Sequence, residues 1–413
     1  MDKVPNSDQV SLAASSDHLG WERLAQILGA SVKSNRHGEH LSVHCWFGGA
    51  AAITPKPETV RLLAQEAGDD AADVERWLFL DTETTGTRWD TGMCPFLAGF
   101  AWWEGGGLEV EQLFMREARE ECSVLAAIAE RLEERPVLVT YNGKSFDWPL
   151  LKRRYGKART IPLPRVAVHL DFLHAARNLW RSRLGCAKLS HLERHVLSFE
   201  RGADIIANRI PRTYLEFVRW GNADGLIPVF HHNQMDLRGL AGVATRVLTL
   251  LAGDDCATER GLDLFSASRV CERGGQTKRA RKLCELSIKS VLPAQVDRMA
   301  RKALARLAKR EGDLESACEI WRSAVGNSRE GYEAYERLAS HFEHKARQPE
   351  KALEVVREAL AELARAEREG TILSGAFLRT QARFERRRQR LEHMTQMVLT
   401  SVPRFLEPDA AVV

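Results

Sequence analysis

The chain has 413 residues, 44% of them hydrophobic, and a formal net charge of +4 at neutral pH. This length predicts more than one domain with sizeable cores. Eight cysteines are scattered without a C-x-x-C pair, which argues against both a disulfide framework and a zinc knuckle. Because no basic and apolar leader opens the chain and no apolar run of 18 residues occurs in it, we expect a cytoplasmic protein without a membrane span.

Two short segments precede the main domain. Residues 1–18 are small and polar and predict a flexible tail. Residues 19–70 predict a small N-terminal extension, in which Trp21–Leu28 opens a helix and Leu41–Phe47 alternates like a strand. The sequence of this extension indicates no role for it.

An apolar strand that includes Leu78 ends in two carboxylates, Asp81 and Glu83. Residues i and i+2 of a strand point to the same side, so this pair could hold one cation between them. The Thr-Thr-Gly that follows predicts a turn, which places the pair at the exposed end of the strand. For this segment alone, the alternative is a strand end that merely faces solvent.

Two further segments carry side chains of the same kind. Residues 137–147 predict a strand, a glycine-bearing turn and then Asp147 at the start of a helix. By itself, Asp147 could equally be a helix N-cap. Residues 231–236 lead into an apolar helix, on which His232 and Asp236 share a face because they are four residues apart.

The order Asp-x-Glu, Asp, then His with Asp spans about 155 residues. This joint pattern resembles the DEDD 3′-to-5′ exonucleases of the ribonuclease-H-like superfamily. Tyr141-Asn142 ahead of Phe146-Asp147, and the segment His169-Leu170-Asp171-Phe172-Leu173-His174-Ala175-Ala176-Arg177, look like the YprB-like branch of that superfamily. The resemblance covers roughly residues 70–250.

The predicted elements agree with that resemblance. From Trp77 the order is strand, hairpin, helix, strand, helix, strand and helices. This order fits an α/β domain over residues 71–252, with a mixed five-stranded sheet flanked by helices as in ribonuclease H. Asp81 and Asp147 would then lie at carboxyl ends of strands, where open α/β sheets place their ligands.

The resemblance implies that Asp81, Glu83, Asp147 and Asp236 bind two divalent ions, Mg²⁺ or Mn²⁺, with Asp81 bridging both. Such hard ions prefer oxygen ligands. Two of them about 3.5 to 4 Å apart activate a water molecule, neutralise the phosphate and stabilise the leaving oxygen. The four carboxylates therefore predict phosphodiester hydrolysis.

Two histidines are candidates for the general base, because a neutral imidazole titrates near working pH. In histidine-type exonucleases four residues usually separate the base from the last Asp, which would select His231. The spacing of His232 and Asp236 instead matches the tyrosine-type enzymes, and we favour His232. If neither histidine reaches the metal site, the protein binds nucleic acid without cutting it.

A basic stretch accompanies these motifs, since residues 152–219 contain 15 Lys or Arg against 5 Asp or Glu. Such a patch would neutralise phosphates along a nucleic-acid backbone. Trp180 lies among arginines in the sequence and either stacks on an unpaired base or belongs to the core. The candidate substrate contacts are Thr84, Asn142, Lys144, Arg177, Trp180 and Arg181.

Residues 258–400 are predicted to form an all-α helical repeat domain. Aligned alanines at positions 280, 317 and 352 are 37 and 35 residues apart, close to the 34-residue period of tetratricopeptide repeats. We predict about three such units over residues 260–365 and a basic capping helix near Arg379–Arg390. Solenoids of this kind present concave binding surfaces, which predicts a protein partner; a purely structural appendage is the alternative.

The sequence therefore predicts a metal-dependent 3′-to-5′ exonuclease of single-stranded DNA or RNA, joined to a repeat domain that recruits a partner. The competing hypothesis is a catalytically inactive nucleic-acid-binding scaffold in which the repeats carry the main function. Endonuclease action and hydrolysis of very short oligonucleotides also stay open. No motif distinguishes DNA from RNA, because that selection depends on contacts to the 2′-hydroxyl group.

Overall fold

A computed structural model describes residues 19–49, 52–86, 92–253, 259–324, 332–370 and 374–400. The chain forms two compact units, residues 1–256 and residues 257–413. The predicted tail, residues 1–18, lies outside the described residues. No helix in the described segments combines the length and the apolarity that crossing a membrane requires.

The first unit is built on one mixed sheet. Its strands are β1 (Ser31–Asn35), β2 (Gly38–Gly48), β3 (Trp77–Thr84), β4 (Pro95–Glu104), β5 (Gly107–Phe114), β6 (Val137–Thr140) and β7 (Val168–Asp171). They follow the spatial order β1-β2-β5-β4-β3-β6-β7. The pairs β3–β6 and β6–β7 are parallel and the other pairs are antiparallel.

Among the described residues the sheet has seven strands, so the predicted count of five is wrong. The two additional strands, β1 and β2, come from the segment predicted as a separate extension. β2 pairs with β5 from Leu41 opposite Phe114 to Gly48 opposite Gly107. This pairing satisfies backbone donors and acceptors that would otherwise form an open edge along β5. Leu41 is 0% exposed and packs in the core of the unit.

Helices cover the sheet on both faces. Those of the first unit are α1 (Leu19–Leu28), α2 (Pro57–Val60), α3 (Glu121–Glu134), α4 (Asp147–Ala158), α5 (Phe172–Leu184), α6 (Leu189–His195), α7 (Ile210–Trp220) and α8 (Ile227–Ala252). Adjacent residues of β5 contact different helices, since Glu111 accepts from Arg131 of α3 and Gln112 donates to Asn233 of α8. Successive side chains of a strand point to opposite faces, so α3 and α8 lie on opposite sides of the sheet.

This two-sided cover explains the sequence of the central strands. Residues 77–80 of β3 are at most 1% exposed, and β4 is buried from Pro95 to Trp103. Strands covered on both faces read as continuous apolar runs rather than as alternating ones. The polar residues at the end of β3 therefore interrupt a segment that is otherwise part of the core.

Gly99 of β4 lets α8 approach the sheet at the point where β3 turns polar. Gly99 pairs with Asp81 of β3 and with Gln112 of β5. A Cβ atom at position 99 would overlap the side-chain amide of Asn233. The absence of a side chain at Gly99 therefore gives Asn233 the space to reach Asp81.

Among the described residues of the second unit, helices are the only regular secondary structure. Its helices are α9 (Gly261–Arg273), α10 (Thr277–Ile288), α11 (Ala294–Arg310), α12 (Leu314–Ala324), α13 (Tyr332–His344), α14 (Pro349–Arg368) and α15 (Ser374–Thr400). Each helix packs against the next one along the chain, as in an array of helical hairpins. The predicted all-helical C-terminal region is confirmed.

The three aligned alanines occupy equivalent places in this array. Ala280, Ala317 and Ala352 lie in α10, α12 and α14, and each is 0% exposed. Small buried residues at these positions allow neighbouring helices to pack closely. The placement agrees with the predicted repeat, and the assignment to the tetratricopeptide class stays a prediction.

Gly99→Ala is expected to lower the free energy of unfolding by about 1–3 kcal/mol, because the new methyl group forces Asn233 out of a packed position. The matched control is Gly156→Ala in α4, where a Cβ atom meets nothing within 4 Å. In a helix this control should stabilise by about 0.5–1 kcal/mol. Urea denaturation of the full chain, followed by tryptophan fluorescence, measures both variants. A Gly99→Ala midpoint at or above that of the original chain would contradict the packing argument.

Candidate active site

The four carboxylates predicted from the sequence belong to three elements that converge at the carboxyl ends of β3 and β6. Asp81 and Glu83 lie on β3, Asp147 is the first residue of α4, and Asp236 lies on α8. The hydroxyl group of Thr82 donates to Asp147 Oδ1 at 2.5 Å, which ties α4 to β3. The predicted convergence is therefore present in the fold.

These carboxyl groups lie close to one another, Asp147 buried and the other three half-buried, and three of the four have raised pKa values. Burial raises the pKa of Asp81 well above its usual range, and the charges of Asp236 and Asp147 raise it further. Burial likewise raises the pKa of Glu83, with Asp81 as the next largest cause. The pKa of Asp147 is raised by burial to about 6, although the hydrogen bond from Thr82 opposes the shift. The site thus holds negative charge that its surroundings do not fully neutralise.

Arg201 places a positive charge against this cluster. Its side chain is 8% exposed and forms an ion pair with Asp236. It also donates to Glu193 at 2.5 and 2.6 Å and to Asp204 at 3.2 Å. Because Arg201 is shared among three carboxylates, it compensates Asp236 only in part.

Asn233 holds Asp81 from the side of α8. Its Nδ2 donates to Asp81 Oδ2 at 2.8 Å, and its Oδ1 accepts from Gln112 Nε2, also at 2.8 Å. Asn233 is 0% exposed. Since both ends of the amide are engaged, the orientation of Asn233 and hence of the Asp81 carboxylate is fixed.

His232 faces the same cluster and is oriented by Asp204. The distance from His232 Nδ1 to Asp204 Oδ1 is 2.7 Å. Partial burial opposes ionisation of Asp204, but the hydrogen bond to His232 and the charge of Arg201 keep its pKa below the usual range. An ionised carboxylate only accepts, so Nδ1 of His232 carries a proton and Nε2 is the ring nitrogen that faces the cluster. Nε2 lies 3.9 Å from Glu83 Oε1 and 3.7 Å from Asp236 Oδ2.

The two candidate histidines differ in their surroundings. The side chain of His232 is 13% exposed and lies among carboxylates. His231 is exposed on α8. Sequence spacing left both open as the base, and only His232 has its ring beside the predicted ligands.

The carboxylate oxygens fit a hard divalent ion by their chemistry, since such ions take oxygen ligands and neutralise buried negative charge. Their positions in the structure do not form a complete set of metal ligands. Within the described segments, no group of three or more His, Cys, Asp or Glu side chains is arranged to hold a metal ion. Two members of the cluster already have partners, since Arg201 engages Asp236 and Asn233 engages Asp81. Metal ions held by Asp81 and Asp236 would share these carboxylates with those partners.

The loop before α4 is fixed by Asp171 at the end of β7. Its carboxylate accepts from the backbone N–H groups of Asn142 at 2.9 Å and Lys144 at 3.0 Å, and caps α5 by accepting from Leu173. Asn142 has φ of 71°, a left-handed conformation that Asn tolerates better than most residues. Asp171 thus holds the turn that delivers Asp147.

The predicted substrate contacts are placed as follows. Lys144 is exposed in the turn before α4, and Arg177 and Arg181 are exposed on one face of α5 because they are four residues apart. The hydroxyl group of Thr84 is engaged, since it donates to the carbonyl of Gly86 at 2.7 Å. The exposed cations are therefore free to meet an anionic ligand in a way that Thr84 is not.

Trp180 does not have the predicted surface position, because it is only 1% exposed. Phe172, Ala176 and Trp180 recur every four residues, so Trp180 belongs to the buried stripe of α5. The stacking role predicted for it is replaced by a role in the core. Arg177 and Arg181 occupy the opposite, exposed face.

Sequence reasoning missed Arg201, Asp204 and Asn233. Asn233 carried a signal, since it falls on the apolar stripe of α8 between Phe230 and Leu237 and a polar residue there needs a partner. Arg201 and Asp204 lie between helices, in a segment without periodic pattern. Nothing in their spacing indicates contact with α8.

Comparison with known proteins places this site in a family. A family model described as "RNase_H superfamily" matches residues 78–248, which include all four carboxylates. The chain is 30% identical over 290 residues to "Uncharacterized protein YprB" of Bacillus subtilis (strain 168), and the match covers 69% of each chain. The chain belongs to the YprB family of the RNase H superfamily. A nuclease domain of this superfamily indicates a hydrolase that processes nucleic acid, and such nucleases generally use divalent metal ions.

A solved structure, the family B DNA polymerase from the hyperthermophilic archaeon Pyrobaculum calidifontis, aligns with a TM-score of 0.35 and 17% identity. The alignment covers 48% of this YprB-family chain and 29% of the polymerase chain. A TM-score this low supports no argument about the site.

Asp81→Asn is expected to shift thermal stability in opposite directions with and without metal. In EDTA the variant should melt at a higher temperature, because it no longer buries this charge. The expected rise in Tm is about 2–4 °C for each kcal/mol gained in the free energy of unfolding. Mn²⁺ should stabilise the original chain by mass action, about 2.7 kcal/mol at 100 times its dissociation constant, and should not stabilise the variant.

Differential scanning calorimetry measures both effects. The control is Asp224→Asn, which removes a carboxylate whose ion pair with Arg23 is exposed to solvent. It should leave the Mn²⁺ response unchanged. A variant that melts lower in EDTA, or keeps the full response to Mn²⁺, would show that Asp81 is not a buried metal ligand.

Proposed function

We propose that the first unit is a metal-dependent 3′-to-5′ exonuclease of the DEDD type that hydrolyses single-stranded nucleic acid. The observation that carries this proposal is the position of His232 Nε2, which faces Glu83 and Asp236 at 3.9 and 3.7 Å while Asp204 holds the other ring nitrogen. A carboxylate cluster beside an oriented histidine has the components of phosphodiester hydrolysis. The 3′-to-5′ direction rests on the resemblance of the motif order to DEDD enzymes.

In this proposal Asp81, Glu83, Asp147 and Asp236 hold two Mg²⁺ or Mn²⁺ ions. When bound, the ions supply charge neutralisation at the phosphate and lower the pKa of the attacking water. Asp81, Glu83 and Asp147 are suited to this because bound cations would compensate the burial and the mutual repulsion that raise their pKa values in the free protein.

The remaining steps belong to side chains of the chain itself. His232 accepts the proton of the attacking water at Nε2, and Asp204 stabilises the imidazolium that results. Arg201 stays within the carboxylate network and keeps Asp204 ionised. Lys144 and Arg177, both exposed, would contact the phosphates of the strand.

A second function is favoured by one specific observation. Arg201 already engages Asp236, and the described residues contain no cluster arranged for a metal ion. A protein that binds nucleic acid without turnover would keep such an internal cation in place. This inactive scaffold is the alternative, with its helical repeats recruiting a protein partner.

The decisive assay follows 5′-labelled single-stranded DNA and RNA, each with a free or a blocked 3′ end, in Mn²⁺ or EDTA. The proposal expects a ladder of shortened products from free 3′ ends in Mn²⁺, and loss of about 1,000-fold or more of this activity in Asp81→Asn. Cleavage of circular strands would instead indicate an endonuclease. Strand binding without cleavage by both proteins would support the scaffold.

Asp204→Asn is expected to lower kcat by about 10- to 100-fold, as found for side chains that orient a functional histidine. KM should change little, since Asp204 contacts His232 and Arg201 and not the substrate. Steady-state hydrolysis of a labelled strand separates the two constants. Asp224→Asn is again the matched control, and Asp204→Glu should recover part of kcat because it can still accept from Nδ1. An unchanged kcat would exclude the orienting role.

A further inference from the structure

The helical unit contains a cavity of about 820 Å³ whose lining is strongly basic. It is bounded by residues of α11, α12, α13 and α15 together with Lys345. Its lining holds seven Lys or Arg and two His against a single acidic residue, Glu336. We call this cavity the arginine groove. An excess of six formal positive charges in one cavity calls for an anionic ligand.

Several of the arginines are held in place by two carboxylates, the buried Glu343 and the half-buried Glu336. The side chain of Glu343 is 2% exposed and accepts from Arg390 at 2.6 and 2.9 Å. Arg387 lies 3.2 Å from the same carboxylate, and Arg383 pairs with Glu336 at 2.8 Å. Each guanidinium group has five N–H donors and these contacts use only some of them. The arginines are therefore positioned in advance, with donors left over.

Other cations of the groove have no such compensation. Within the described segments, no carboxylate lies within ion-pair distance of Lys309, Lys345 or Arg386. The pKa of His341 is lowered by burial and, further, by the charges of Lys309 and Arg322. The groove thus carries a positive potential that the protein itself does not neutralise.

The apolar side chains of the groove form its floor and not a binding surface. Trp321 is 5% exposed and Phe384 is 1% exposed. A peptide ligand would normally gain specificity from pockets for its apolar side chains, and these two residues offer almost no area for them. Nor can they stack on bases. Recognition here depends on regularly spaced negative charge, to which forked arginines are well matched when the charges are phosphates.

We propose that the arginine groove binds the phosphate backbone of single-stranded nucleic acid, as a binding site separate from the carboxylate cluster. The choice of nucleic acid rests in part on the proposed function, because a phosphodiesterase with a second phosphate site retains its strand between cleavage steps. We expect binding in the groove to be independent of the nucleotide sequence, because the groove recognises only the charge of the phosphates. Its contribution to affinity falls with salt as counterions are released.

The test uses the full chain with its three uncompensated cations replaced, Lys309→Gln, Lys345→Gln and Arg386→Gln. These changes leave no buried carboxylate without a partner, so folding should be retained. The matched control is Lys289→Gln, Arg368→Gln and Arg379→Gln, which removes the same charge from exposed positions that do not line the groove, one in the turn after α10 and two in helices. A third variant, Lys309→Arg, Lys345→Arg and Arg386→Lys, keeps the charge.

Binding is measured by fluorescence anisotropy with a fluorescein-labelled 30-nucleotide single-stranded DNA, in EDTA and at several salt concentrations. We expect the groove variant to bind about 10-fold more weakly, with a slope of log K against log salt smaller by about 2 for three lost phosphate contacts. The charge-matched control and the charge-keeping variant should bind like the original chain. A groove variant with the affinity and slope of its control would overturn the proposal.

Two further readouts separate the possible failures. Hydrolysis of thymidine 5′-p-nitrophenyl phosphate in Mn²⁺ tests the carboxylate site alone and should be equal in all the variants. If no variant hydrolyses this substrate but the groove variant still binds DNA more weakly than its control, the proposed enzymatic activity is wrong and the proposed binding site is supported. A labelled ten-residue poly-glutamate peptide tests the other class of anionic ligand, an acidic protein segment. If the groove changes weaken binding of this peptide and leave DNA binding unchanged, the groove serves an acidic protein and our proposal fails.

Discussion

The arrangement of the first unit follows from the cost of burying negative charge at the end of a core strand. β3 enters the protein as a fully apolar segment and ends with Asp81 and Glu83 beside Asp147 and Asp236. Isolated buried carboxylates are strongly unfavourable. The protein partly offsets this cost with Asn233, Thr82 and Arg201, and the pKa values of Asp81, Glu83 and Asp147 stay raised. Because negative charge at this site is not fully compensated, the site favours the binding of cations. This is the physical basis of the proposed chemistry.

Much of this could be read from the sequence. The apolar run that ends in Asp81 predicts a buried strand, and the spacing of His232 and Asp236 predicts a shared helical face; both are present. Local periodicity sufficed there, because each pattern lies within a single element.

The errors came from contacts between elements. The edge pairing of β2 with β5 joins residues about 65 positions apart, and no local pattern shows whether a predicted strand joins a sheet or stands apart. For Trp180 the neighbouring arginines suggested a surface position beside the alternative of a core position, and its spacing from Ala176 puts it on the buried face. Arg201 and Asp204 lie in a segment without periodicity, so their contacts with α8 became visible only in three dimensions.

The proposed chemistry requires that the four carboxylates form a site for two divalent ions. The most direct measurement is the number of Mn²⁺ ions bound per chain, obtained by electron paramagnetic resonance of free Mn²⁺ during a titration. We predict two ions for the original chain, with loss of at least one in Asp81→Asn. Equal binding by the two proteins, or no binding by either, would contradict the account and leave Arg201 as the permanent counter-charge of the cluster.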